Sequence, residues 1–264
     1  MKQQNERYTA YRPDKNGYIH YSSAEDKIWE TLYKRQIKVV DGIACDEFLI
    51  GVERLHLKSD KVAQAMDVSK QLFSDTGWVV EPVDALISFK RFFQLLSEKK
   101  FPAASFIRRI EDLDYLPEPD IFHEIFGHCP GLTNHDFAAF THKVGELGIT
   151  LEKDDYIMLA RLYWFTVEFG LINTAEGLRI YGAGILSSKE ESEYALHSEV
   201  PFRKKFDLVE VLRTPYRYDE KQKIYFIIDS FKELYNLVAG DKLKIAFAKA
   251  KELGPLPSLY ADKK

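Results

Sequence analysis

Cysteine is scarce: Cys45 and Cys129 are the only two in 264 residues. That excludes a disulfide framework and favours a reducing, cytoplasmic setting. Long apolar runs are missing too, and none approaches the ~20 residues that a membrane span needs. The opening Met1-Lys2-Gln3-Gln4-Asn5-Glu6-Arg7 has no apolar signal region and is expected to be an exposed polar lead. Nor is there an excess of positive charge. Lys and Arg number 37 against 41 Asp and Glu, a formal net charge of -4, which gives no reason to expect nucleic acid. The short basic run Arg203-Lys204-Lys205 reads as a solvated face. No internal repeat or low-complexity linker breaks the chain, so the expectation is one domain over 1–264, with 1–22 an extended lead.

What is present is an ordinary soluble composition, 45% hydrophobic and 30% charged, long enough to bury a substantial core. Ser23 followed by Asp26 resembles a capping box opening a helix through Trp29, Leu32 and Tyr33. Helical periodicity recurs around 43–54, 60–74 and 84–97, the last with Leu86, Phe89, Phe93 and Leu96 on one side and Phe92 beside them. Ala103 to Arg108 suggests a short strand. Asp136 to Thr150 and Asp154 to Phe169 suggest two long helices. Leu178 to Leu186 suggests a strand or tight loop, 208–213 and 216–219 short strands, and Ile224 to Leu237 a final helix. The fold class expected is mainly α with minor β.

Chemistry concentrates in Pro119-Asp120-Ile121-Phe122-His123-Glu124-Ile125-Phe126-Gly127-His128, where two imidazoles and a carboxylate sit in an aromatic, apolar stretch. Zinc peptidases of the His-Glu-x-x-His type place histidines at i and i+4, on one helix face. Here the spacing is i and i+5, which separates the rings by about 140° on a regular α-helix. The helix must therefore end or distort between them, and Gly127 with Pro130-Gly131 supplies suitable breakers. Glu124 is badly placed as a hydrolase base. Asp120 reads as a helix cap or as an acceptor for a histidine ring N–H. His20, His56, His135, His142 and His197 read as ordinary histidines, and ligation by Cys129 is disfavoured by its adjacency to His128.

A third ligand is sought among Glu124, Asp136, Glu146 and Glu168. Glu168 alone combines an aromatic setting, Leu162-Tyr163-Trp164-Phe165-Thr166-Val167-Glu168-Phe169-Gly170, with no cationic neighbour in sequence. If buried, it needs a cationic partner. Two histidines and one carboxylate, with coordination positions left over, form the facial arrangement of non-haem Fe(II) oxygenases.

The 119–128 string resembles the signature of the pterin-dependent aromatic amino acid hydroxylases. Tyr163-Trp164-Phe165-Thr166-Val167-Glu168-Phe169-Gly170 and Tyr181-Gly182-Ala183-Gly184-Ile185-Leu186-Ser187-Ser188 resemble two further blocks of that family, in order and at its spacing. The likeness runs from about residue 80 to the last expected helix. It implies Fe(II) held by His123, His128 and Glu168, tetrahydrobiopterin or a related tetrahydropterin as second cofactor, and O2 as co-substrate. It also implies Phe92 stacking on the pterin, with Ile87, Glu124 and Ala160 at other pterin positions and Tyr163 beside the iron. Arg108 corresponds to the arginine that takes the substrate carboxylate, a role that suits a planar guanidinium. Trp164, Phe169, Gly184 and Ser187 match positions around the substrate.

The reaction implied is ring hydroxylation of an aromatic amino acid, with L-phenylalanine to L-tyrosine leading. Tryptophan or tyrosine hydroxylation, or attack at the meta position, stays open. A metal-dependent hydrolase is the alternative from another class, and a binding protein that kept the fold is a third. Two departures bear on substrate choice: Leu116 stands where animal phenylalanine hydroxylases have a threonine, and Tyr218 adds bulk. Against animal members the chain has room for neither a regulatory domain nor a tetramerisation helix, so the expectation is a monomer or a dimer.

Overall fold

A computed structural model describes residues 8–84, 87–114, 116, 118–152 and 155–260. Among these, helix outweighs strand, about 52% against 12%, so the mainly helical expectation is borne out. Helix α1 (Ser23–Val40) opens on a capping box one residue earlier than the sequence suggested. Ser22 is the N-cap, and Glu25 reaches back to it. Helices α2 (Asp46–Arg54) and α3 (Ala65–Thr76) follow, then strand β1 (Val79–Val83), helix α4 (Phe89–Ser97) and strand β2 (Lys100–Ala104), which pairs with β1 in parallel. Leu86 lies outside the described residues. The polar lead Met1–Arg7 also lies outside them, while Tyr8 stacks on Phe106 at 4.7 Å and seats the chain that follows.

The strand expected at 103–108 begins earlier and ends at Ala104. Residues 105–109 are irregular, held locally by Ile121 N donating to the Phe106 carbonyl. A π-helix covers His123–His128. Phe122 and Phe126 stack at 4.9 Å, and Trp29 of α1 and Phe48 of α2 pack edge-on against them. This aromatic floor buries one face of the π-turn and leaves the other to the histidines.

Helix α5 (His135–Gly148), capped by Asn134, lies directly on α4. Glycine is a poor helix former, but here it permits the approach: a Cβ on Gly148 would come within 2.3 Å of the Phe93 ring, and one on Gly145 within 2.4 Å of the Ser97 nitrogen. The single long helix expected over 154–169 is instead α6 (Tyr156–Tyr163) followed by a second π-helix, Trp164–Glu168; Asp154 lies outside the described residues.

Strands β3 (Gly170–Thr174) and β4 (Gly177–Ile180) form a hairpin, and the chain then turns through helix α7 (Ala183–Leu186) into α8 (Lys189–His197). The basic run at 203–205 is not simply a solvated face. It belongs to edge strand β5 (Phe202–Lys205), where exposed lysines discourage pairing with another chain. Residues 208–213 are helix α9 (Leu208–Arg213), not a strand. Asp207 caps it, and Val211 and Leu212, adjacent on its inner side, mimic strand content. Residues 216–219 form no strand either.

The largest correction concerns 224–237. Ile224-Tyr225-Phe226-Ile227-Ile228 is strand β6 (Ile224–Ile228), lying between β3 and β5, parallel to both, in the order β4-β3-β6-β5. A continuous β-branched and aromatic run is what a strand covered on both faces requires. Ser230 then caps α10 (Phe231–Val238), and a further helix, α11 (Lys242–Leu253), follows.

Candidate active site

The two π-helices resolve the spacing problem. With i→i+5 hydrogen bonding, a π-turn holds more residues than an α-turn, so a side chain five positions on returns to the same face. His123 and His128 thus converge by widening of the helix, not by its ending at Gly127. Their Nε2 atoms lie 3.1 Å apart. The second π-helix delivers Glu168 to the same point: its carboxylate oxygens stand 3.3 Å from His128 Nε2 and 3.7 Å from His123 Nε2. The three donor atoms fall within 4.8 Å of one another, the one such cluster of three or more His, Cys, Asp or Glu found among the described residues.

Tautomer is fixed at one ring. Ser187 Oγ donates to the Ala183 carbonyl at 2.8 Å, so it must accept at its 2.8 Å contact with His123 Nδ1. The ring proton therefore sits on Nδ1, and the Nε2 lone pair faces the cluster. His128 Nδ1 is buried with no hydrogen-bond partner among the described residues. Burial lowers the His123 pKa to about 4, with His128 adding to the fall. Burial pushes Glu168 upward, yet the two imidazoles, His128 first, hold it below the ordinary carboxylate range. Neutral imidazole beside an ionised carboxylate is the protonation state a divalent cation needs. The donor spacings fit ligands about 2.1 Å from one shared ion.

His123 and Glu168 open onto a cavity of about 490 Å3 whose wall also includes Arg108, Trp164, Phe169, Gly184 and Ser187. All the residues matched to substrate positions are thus brought together. Trp164 lies between Phe169, at 4.6 Å, and Tyr216, at 4.3 Å. A Cβ on Gly184 would meet the Phe169 ring at 2.9 Å, so this glycine lets the aromatic wall close. A larger cavity, about 670 Å3, runs under the N-terminal lead; it shares Arg108 but none of the three donors.

Arg108 is not the surface ion pair that its neighbours Glu111 and Asp112 suggest. Its Nε and Nη2 bond both oxygens of Asp120 at 2.8 and 2.9 Å, and Asp120 is fully buried. Burial opposes both charges, but their mutual attraction lowers the Asp120 pKa and raises that of Arg108. Asp120 also accepts from the His123 backbone nitrogen at 3.1 Å. It therefore serves as a cap, as expected, but not as acceptor for a ring N–H, because Ser187 takes that part. Among the described residues, Arg108 Nη1 has one contact, at 3.5 Å, with the Leu113 carbonyl.

The residues matched to pterin positions gather less tightly. Phe92 meets the Tyr163 ring edge-on at 5.1 Å. Glu124 is buried, and burial, then Glu168 and Asp120, pushes its pKa well up. Tyr163 is likewise raised by burial, and its hydroxyl has no partner among the described residues. Ile87 and Ala160 are half-buried, outside the cavity. Leu116 and Tyr218 do line it. Sequence reasoning missed Arg35, Glu191 and Gln222 on the same wall; the one available signal was that a half-buried Trp164 N–H needs an acceptor.

A metal-type triad of two histidines and a glutamate beside an aromatic cavity, in a helical fold, defines a non-haem iron oxygenase class. The sequence pattern described as "Biopterin-dependent aromatic amino acid hydroxylase" matches residues 2–247, and the chain belongs to that family. It is 48% identical over 256 residues to the phenylalanine-4-hydroxylase of Pseudomonas aeruginosa, covering 97% of each chain. The phenylalanine hydroxylase structure from Legionella pneumophila superposes with a TM-score of 0.93 at 50% identity, over 96% of this chain and 100% of that one. That of Chromobacterium violaceum, solved with bound Fe(III), gives 0.87 at 44% identity, over 93% and 91%. The family expected from the three sequence blocks is borne out.

Proposed function

We propose that this protein is a phenylalanine 4-monooxygenase, converting L-phenylalanine to L-tyrosine with O2 and a tetrahydropterin. The observation that carries the reading is the convergence of His123 Nε2, His128 Nε2 and the Glu168 carboxylate at the edge of an aromatic-walled cavity. These three residues are assigned as the Fe(II) ligands. When bound, Fe(II) and the reduced pterin supply the activation of O2.

The remaining work belongs to the chain. Arg108, braced by Asp120, presents Nη1 to the substrate carboxylate. Trp164 and Phe169 hold the ring, with Gly184 and Ser187 at the backbone end of the substrate. Phe92, Ile87, Glu124 and Ala160 are assigned to the pterin. Burial pushes the Glu124 pKa well up, and its protonated form offers a hydrogen-bond donor that an ionised carboxylate lacks. Tyr163 flanks the metal.

No helix among the described residues is long and apolar enough to cross a membrane. A cytoplasmic, single-domain catalytic unit, monomeric or dimeric, completes the reading. The test is anaerobic Fe(II) reconstitution, then O2, tetrahydropterin and each aromatic amino acid in turn. Para-tyrosine from phenylalanine, at a higher kcat/KM than product from tryptophan or tyrosine, is expected. Meta-hydroxylation, preference for another amino acid, or no product overturns it.

A further inference from the structure

Gln222 sits at 2% exposure behind the aromatic wall, and each of its amide atoms is used twice. Oε1 accepts from Trp164 Nε1 at 2.9 Å and from the Tyr260 hydroxyl at 3.3 Å. Nε2 donates to the Arg217 carbonyl at 2.8 Å and to the Glu220 carbonyl at 3.3 Å. Its backbone nitrogen donates to Glu191 Oε1 at 3.2 Å, and the same oxygen takes the Tyr225 hydroxyl. A buried amide with all its capacity engaged is rigid, because each lost bond leaves a desolvated polar atom.

The partners matter more than their number. Stacking on Tyr216, with the tilted Phe169 ring on the other side, holds the plane of the Trp164 indole but leaves it free to slide and turn within that plane. The Nε1–Oε1 bond removes that freedom. The other end of the same amide holds the segment that brings Tyr218, Asp219, Glu220 and Lys221 to the cavity. One side chain thus joins a wall on the second π-helix to a loop far along the chain.

We propose that Gln222 is a positioning residue for the aromatic amino acid, locking the Trp164 indole and the 217–221 loop into one rigid wall. The inference rests on the proposed hydroxylase reading. It predicts that releasing Gln222 loosens the amino acid without disturbing the pterin, so that more pterin is oxidised per product formed.

Gln222→Met keeps the length and removes all four side-chain bonds. It should raise the L-phenylalanine KM about tenfold, the worth of roughly one such bond, with the pterin KM within about twofold, and lower the tyrosine formed per pterin consumed. Tyr260→Phe, a change outside the cavity, should move KM in the same direction by less, and it serves if Gln222→Met does not fold. Independently of turnover, the Trp164 emission, taken as wild type minus Trp164→Phe, should shift in Gln222→Met. Equal changes in both KM values, full coupling in the Met variant, or an unshifted Trp164 emission would each overturn the proposal. If wild-type enzyme makes no tyrosine, the hydroxylase reading fails, while emission and calorimetric binding of phenylalanine still decide the role of Gln222.

Discussion

Ser187 Oγ lies 2.8 Å from His123 Nδ1 while giving its own proton to the Ala183 carbonyl. A hydroxyl at the C-cap of α7 thereby decides which nitrogen of a π-helical histidine is free. Removing it in Ser187→Ala leaves the ring able to take the other tautomer or rotate. Loss of such an orienting partner weakens metal affinity by about 10–100-fold. Anaerobic Fe(II) titration checks this, and unchanged affinity would mean that Ser187 does not set the tautomer.

Glu168→Gln removes the anion and keeps the shape. Turnover should vanish, while the melting temperature of the metal-free protein stays within about 4 °C of wild type, a shift of roughly 1 kcal/mol or less in a chain of this size. Full activity in this variant would assign the carboxylate role to another residue.

The Arg108–Asp120 pair makes two separable predictions. Asp120→Ala strands a buried guanidinium and should cost about 3–5 kcal/mol in urea unfolding. Arg108→Ala should raise the amino acid KM far more than the pterin KM; equal effects would count against a carboxylate clamp. The Asp120 pKa is lowered on folding. Its contribution is therefore complete above the ordinary aspartate range, near pH 4, and is lost as pH falls through the folded value.

Acid should act earlier on the metal site. His123 falls to about 4 on folding, from an ordinary value near 6.5. The unfolded chain therefore binds the proton first, and metal-free protein should lose stability as pH drops from about 6.5 toward 4. Bound Fe(II) competes with that proton, so the stabilisation by metal should also shrink over this window. Thermal melts with and without Fe(II) between pH 7 and 5 measure both, and a flat response in the metal-free protein would contradict the depressed imidazole.

Much of the site was legible because its residues break the rules of their surroundings. An acid inside Trp164–Phe169 and two histidines among phenylalanines have no place in a plain core. The i,i+5 spacing even announced a distorted helix. Its form was not legible, since π-turns carry no residue preference as plain as a cap or a proline, and glycine drew the attention. The helices with clear caps or stripes, α1 and α5, were found nearly in place. Failures fell where apolar content outran periodicity: Ile224–Ile228 merged with α10 in the reading, and Leu208–Arg213 passed for a strand. Gln222 and Ser187 show the other limit, as polar side chains whose meaning comes only from what the fold sets opposite them.

The central claim is that one ion is held by side chains from both π-helices. Anomalous diffraction at the iron edge, from crystals grown anaerobically with Fe(II), tests it directly. One peak per chain, within bonding reach of His123 Nε2, His128 Nε2 and the Glu168 carboxylate, is predicted. A peak elsewhere, or one bonded to the histidines with Glu168 turned away, would contradict the account.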